Sequence, residues 1–166
     1  MYLLVTRLWG APSGFIAAVG YAYAPYHLVD AFVRGAYSEL TAFVWFPFIF
    51  LGVLGWIETA QRRWLAVATL SMASLVLTHN LMPILFFPFV LIFPLLFIYD
   101  LNLSFDEIKH RFVGLMWSGV LACLLSAYFW VPILLERTYV RLDYFMEFDY
   151  RNGFVSIAEL FSTASE

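Results

Sequence analysis

The sequence predicts an all-α protein, a polytopic transmembrane helix bundle of about five spans plus a partial one at the N-terminus, and three observations carry that expectation. Hydrophobic residues make up 63% of the chain and charged residues only 13%, against about 25% charged in soluble domains. Apolar runs of the length needed to cross a bilayer recur along the chain. Short polar turns rich in Arg, Glu, His and Asn separate them.

The first ten residues, MYLLVTRLWG, lack a basic start followed by a full apolar stretch, and their apolar part is too short to span. They read as the tail of a span. Ala11–Tyr26 follows, rich in small residues (Ala17, Ala18, Gly20, Ala22, Ala24) of the kind that let membrane helices approach closely, and is expected to be a buried helix rather than a lipid-facing one. Pro25 removes a backbone donor, so it either kinks that helix or opens a new one.

Leu40–Ile57 is expected to span, kinked at Pro47 and anchored at the membrane interface by Trp56. Glu58, Gln61, Arg62 and Arg63 make a polar turn, Trp64–Thr78 a further span, and His79-Asn80 a break before Leu81–Tyr99, whose Pro83, Pro88 and Pro94 predict a bent helix. In Asp100–Arg111, Ser104 and Glu107 match the S-x-x-E capping box, so an interfacial helix is expected near 104–111. Phe112–Leu135 supplies the last span. Residues 1–135 are thus read as the transmembrane region. Residues 136–166, holding Glu136, Asp143, Glu147, Asp149, Glu159, Glu166 and an Asn152-Gly153 turn signal, are read as an extracytoplasmic loop cut short.

Several function classes are excluded. The net charge of −3 and the lack of a basic run interleaved with aromatics speak against nucleic acid. The single cysteine, Cys123, forms no internal disulfide and no cysteine zinc site. No glycine-rich phosphate loop, H-E-x-x-H or G-x-S-x-G is present.

Strict alternation of the spans puts Arg7, Arg62, Arg63, Lys109 and Arg111 on one face, which the positive-inside rule makes cytoplasmic. The opposite face collects His27, Asp30, Arg34, Glu39, His79, Asn80 and the acidic tail. The densest ionisable stretch is Pro25–Glu39, PYHLVDAFVRGAYSE. Between membrane spans such charges mark a functional site by default. On a helix, His27, Asp30 and Arg34 fall at i, i+3 and i+7, and Asp30 and Arg34 form an i,i+4 pair. Glu39 reaches Arg34 only if the helix breaks at Gly35. An arginine fork suits a phosphate or carboxylate.

The competing reading is structural. Asp30 and Arg34 then neutralise each other at a helix end, His27 is a hydrogen-bonded core histidine, and His79-Asn80 merely ends a helix among headgroups. His27 and His79 with Asp30 have the chemistry for a divalent cation, but spacing alone does not bring them together, so no metal is assigned and the cofactor stays open. Glu147-Phe148-Asp149 has the acidic-x-acidic spacing of many metal-dependent sugar transferases, and equally that of a solvated acidic loop.

The blocks AYAPYHLVDAFVRGAYSELTAFVWFPFIFLG, LTHNLMPILFFPFVL, YFWVPILLERTYVRLDYF and DYRNGFVSIAEL, in this order, resemble the bacterial polytopic membrane proteins known as 6-pyruvoyl-tetrahydropterin synthase-related. Those proteins in turn resemble the GT-C class of membrane glycosyltransferases. The resemblance covers nearly the whole chain through the PYH-x-x-D-x-x-x-RG-x-x-x-E and THN blocks. It implies a membrane enzyme that uses a polyprenyl-phosphate-linked sugar outside the cytoplasmic membrane, with an acid in a first outer loop upstream of this chain. Under that expectation His27, Asp30 and Glu39 are the catalytic candidates. Arg34, His79 and Asn80 are the substrate-binding ones, and the lipid bilayer and the lipid-linked sugar phosphate are the partners. A transporter or flippase of lipid-linked sugars, its groups lining a path, and a non-catalytic membrane scaffold are the rival expectations.

Overall fold

A computed structural model describes residues 1–98 and 101–139, and it is helical throughout apart from turns. The chain divides into two units, Met1–Phe129 and Trp130–Glu166. The Asn152-Gly153 and Glu147-Phe148-Asp149 signals, and most of the expected outer loop, lie outside the described residues.

Backbone chemistry sets the punctuation of the first unit. Helix α1 (Tyr2–Trp9) stops at Gly10, whose φ of 86° is a conformation glycine adopts without strain. Pro12 then sits in the first turn of α2 (Ala11–Ala22), where its missing N–H costs nothing. Pro25 does not kink α2 but opens a new short helix, α3 (Pro25–Val29). That helix widens into a π-helical turn over Asp30–Arg34, which Gly35 closes in the left-handed conformation at φ 63°. Helix α4 (Tyr37–Thr59) carries Pro47 inside it, and the left-handed Ala60 ends it. The chain continues through α5 (Arg62–Thr78), α6 (Met82–Ile98) and α7 (Phe105–Leu125), and then α8 (Ala127–Leu135) crosses from the first unit into the second.

The core is the seam between α4 and α5. Ala42, Ile49, Val53 and Ile57 recur at helical spacing on α4 and face Ala68, Met72 and Leu75 on α5, all of them buried. Small residues let the backbones close up. A Cβ on Gly52 would stand 2.6 Å from the Ala68 backbone nitrogen, so only glycine permits this crossing. Helix α6 runs beside α4 in the same direction through ring contacts, Phe46 on Phe86 at 3.9 Å and Phe50 on Phe93 at 4.4 Å. On the other side α7 meets α5 through a buried Thr69–Ser118 hydroxyl pair at 2.8 Å.

Several expectations change. Two helices, α4 with 23 residues and α7 with 21, are long and apolar enough to cross a membrane, where five spans were expected. Helices α5 and α6 have 17 residues each, because His79-Asn80 divides them. The helix expected near 104–111 is not a separate element: its capping box is intact at Ser104 and Glu107, but it opens α7. The expected last span breaks at Ser126, whose Oγ bonds the Ala122 carbonyl at 2.9 Å and so offers the backbone an alternative to helix continuation. Helix α2 is not buried: Gly14 alone is enclosed, while Phe15 and Ile16 are 65% and 71% exposed. Trp56 is not an interfacial anchor. It is 3% exposed, and its Nε1 donates to the Arg111 carbonyl at 2.9 Å.

In the second unit the described residues comprise the end of α8, with Pro132, and a 3-10 turn over Arg137–Tyr139. The turn is tied by the Tyr139 N–H donating to the Glu136 carbonyl at 2.9 Å.

Candidate functional site

The two ends of the first unit differ in charge. At the end where α4 and α6 begin and α5 finishes lie the groups of Pro25–Glu39. At the other end Arg7 pairs with Glu58 at 2.6 Å and stacks over Trp64, and Arg63 lies over the same ring. There the Arg111 guanidinium donates to the Trp56 carbonyl at 2.7 Å. The cationic residues expected to share a face therefore gather at one end.

The π-helical turn and Gly35 shape the site. Turning the chain at Gly35 brings the first turn of α4 back onto α3, so Glu39 meets Arg34 as the expected break requires. Arg34 Nη1 donates to Asp30 Oδ1 at 2.6 Å and to the Tyr26 hydroxyl at 3.0 Å, while Nη2 lies 3.0 Å from Glu39 Oε2. The Tyr26 hydroxyl donates in turn to Glu39 Oε1 through a short hydrogen bond. Two carboxylates and a phenol thus surround one guanidinium, and the formal charge of the group is negative.

Exposure separates the roles open to these residues. Asp30 is fully enclosed, with Oδ1 on Arg34 and Oδ2 without a partner among the described residues. Such a carboxylate positions Arg34 and does not reach a bound molecule. Arg34 keeps 46% of its side chain exposed and Tyr26 is half exposed, so these two form the accessible surface, and Glu39, with 11% of its side chain exposed, is buried against them. The Tyr26 hydroxyl, bonded to Glu39, serves as a donor. The Tyr26 and Glu39 hydrogen bonds hold the Arg34 guanidinium in its charged form.

The histidines stand apart from this network. His27 is buried between Tyr21 and Phe43, with ring centroids 4.8 Å and 4.5 Å away. Nδ1 of His79 accepts from the backbone N–H groups of Leu81 and Met82 at 3.2 Å each, so the residue ties the start of α6. Trp45 Nε1, donating to Thr78 Oγ1 at 3.1 Å, fixes that end of α5 against α4. Asn80 is exposed in the bend between α5 and α6. His27, Asp30 and His79 do not converge, and no group of three metal-ligating side chains occurs among the described residues.

Tyr26 is the functional candidate that sequence reasoning missed. The available signal was its position four residues before Asp30 and eight before Arg34, which places its hydroxyl over the same stripe. No known family, curated protein or solved structure matches this chain.

Proposed function

We propose that the chain belongs to an integral membrane glycosyltransferase of GT-C type, which transfers sugar from a polyprenyl phosphate at the extracytoplasmic end of its helices. The reading takes α5 and α6 as crossings beside α4 and α7. At 17 residues each they meet the lower limit of about 17–25 residues for a spanning helix. With α2 and α3 as a further crossing and α1 as a partial one, this restores five spans. Apolar side chains left open on the outside support it, among them Ile84, Leu85, Phe89, Leu96, Trp117 and Leu124, each at least 61% exposed. The Arg-rich end then faces the cytoplasm and the Tyr26–Arg34–Glu39 network faces outward.

The observation that carries the enzymatic reading is the Tyr26–Arg34–Glu39 network, which sets a carboxylate beside an accessible cation and an accessible phenolic donor. Transfer makes a bond from the acceptor oxygen to the anomeric carbon and breaks the bond from that carbon to the phosphate oxygen. Glu39 takes the acceptor proton, and the Arg34 donors not engaged by Asp30, Tyr26 or Glu39 meet the departing phosphate. Asp30 holds the guanidinium in place. Because the network is negative overall, a phosphate donor needs a further positive charge, which a divalent cation would bring.

The double engagement of Arg34 favours a second reading, in which the network is a clasp that locks α3 to α4 in a non-catalytic scaffold. One experiment separates them: transfer from polyprenyl-phosphate sugars by the full-length protein, with and without divalent cation, for wild type and Arg34→Ala at equal membrane content. The enzymatic reading expects at least a hundredfold loss on removal of a transition-state cation, on the order of an oxyanion-site deletion. Unchanged transfer would falsify it. Loss of the protein from the membrane, with no change in transfer per molecule, would leave the clasp.

A further inference from the structure

Beyond the outward network, the cationic end holds a groove that the proposed chemistry does not use. It lies between the N-terminal halves of α5 and α7, floored by Trp56, and encloses about 580 Å³. We propose that this groove seats an anionic phospholipid, its phosphate at the mouth between Arg62 and His110 and an acyl chain running along Leu65, Trp117 and Leu121. The inference rests on the membrane reading of the chain and is independent of glycosyl transfer.

Charge complementarity identifies the occupant. Arg62 lines the mouth, is exposed, and forms no ion pair among the described residues, whereas three neighbouring arginines are engaged: Arg7 by Glu58, Arg63 by the Trp64 ring, and Arg111 by the Trp56 carbonyl. Two of the described carboxylates of this end are also engaged. Glu58 is held by Arg7, Glu107 closes the capping box, and Asp106 sits in the first turn of α7, where a negative charge offsets the helix end. Helix α5 begins at Arg62 with no side chain capping its first N–H groups, which leaves donors beside the guanidinium.

Below the mouth the groove turns apolar. Its walls open onto the outer face of α7, where Val113, Trp117 and Leu121 are 46%, 62% and 48% exposed. A cationic rim above an apolar channel open to the side is the shape of a headgroup with its chain. A basic pocket between helices at the cytoplasmic side is where anionic lipid concentrates. Gly114 makes the groove: a Cβ there would stand 2.5 Å from the Trp56 ring, so glycine lets α7 lean on Trp56 and leave room beside Trp117.

The test uses intrinsic tryptophan fluorescence of the full-length protein reconstituted in phosphatidylcholine vesicles, with brominated phosphatidylglycerol or brominated phosphatidylcholine at equal bromine content. The groove tryptophans should be quenched at about fivefold lower mole fraction of the glycerol lipid, the preference expected of one cation at a membrane surface. Trp117→Phe should remove most of the extra quenching. Arg62→Ala should abolish the preference while Arg62→Lys retains it, which excludes a folding defect as the cause. Equal quenching by both lipids, or a preference that survives Arg62→Ala, overturns the inference alone. Quenching by neither lipid overturns it together with the membrane reading.

Discussion

Tyr26 is the residue on which the outward network turns, because its single oxygen accepts from Arg34 and donates to Glu39. Tyr26→Phe leaves the ring on Phe43 but strips both bonds. Tyr26 and Arg34 are half exposed, so water replaces part of what is lost, and the expected cost is only about 0.5–1.5 kcal/mol, read as a lowered unfolding midpoint in detergent. Transfer should fall by far more than stability, because Glu39 loses its fixed orientation; a variant as active as wild type would remove Tyr26 from the site. Asp30 and Arg34 were legible in the sequence because i,i+4 spacing is local, and the Glu39 contact was legible as a condition on Gly35. Tyr26 was not, because its ring reads as the end of an apolar run and the hydroxyl acquires meaning only when α4 folds back. The aromatic slot of His27 was hidden for a related reason: its contacts with Tyr21 and Phe43 form only when α2 and α4 pack against α3.

At the scale of the element, small residues at crossings decide how closely helices approach. Gly52→Val would drive a branched side chain into the Ala68 backbone, where no side chain can move aside. The expected destabilisation is about 1–3 kcal/mol, with α4 and α5 forced apart, measurable by thermal unfolding in detergent. An unchanged unfolding midpoint would show that the crossing is looser than described. Breaks governed by one residue could be read in advance: Gly10, Pro25, His79-Asn80 and the Ser104 cap each stand at an observed boundary. The break at Ser126 could not, since a serine within a long apolar run gives no local sign that its hydroxyl will take the Ala122 and Cys123 carbonyls. Nor could the burial of Trp56, which depends on α7 presenting Gly114 and the Arg111 carbonyl to it.

Across the whole first unit, charge is sorted by end. Arg7, Arg62, Arg63 and Arg111 lie where α4 finishes and α5 and α7 begin, and the acidic network around Arg34 lies where α4 begins and α5 finishes. This polarity was legible because alternation of helices along the chain carries each polar turn to a known end. It implies opposite sidedness in a membrane: on a Cys123→Ser background, Asn80→Cys should react with an impermeant maleimide added outside intact cells, and Arg63→Cys should react only after lysis. Reversed labelling would place the network in the cytoplasm and remove its access to an outward lipid-linked sugar. Glu39 is the proposed base of that transfer. Its most direct test is the rate of sugar transfer from a polyprenyl phosphate by full-length wild type and Glu39→Gln at matched content. Glutamine keeps the size and can still accept from Tyr26 but cannot take a proton, so the account predicts a rate at least a hundredfold lower with the protein still folded. A Glu39→Gln enzyme that transfers sugar at the wild-type rate would contradict it.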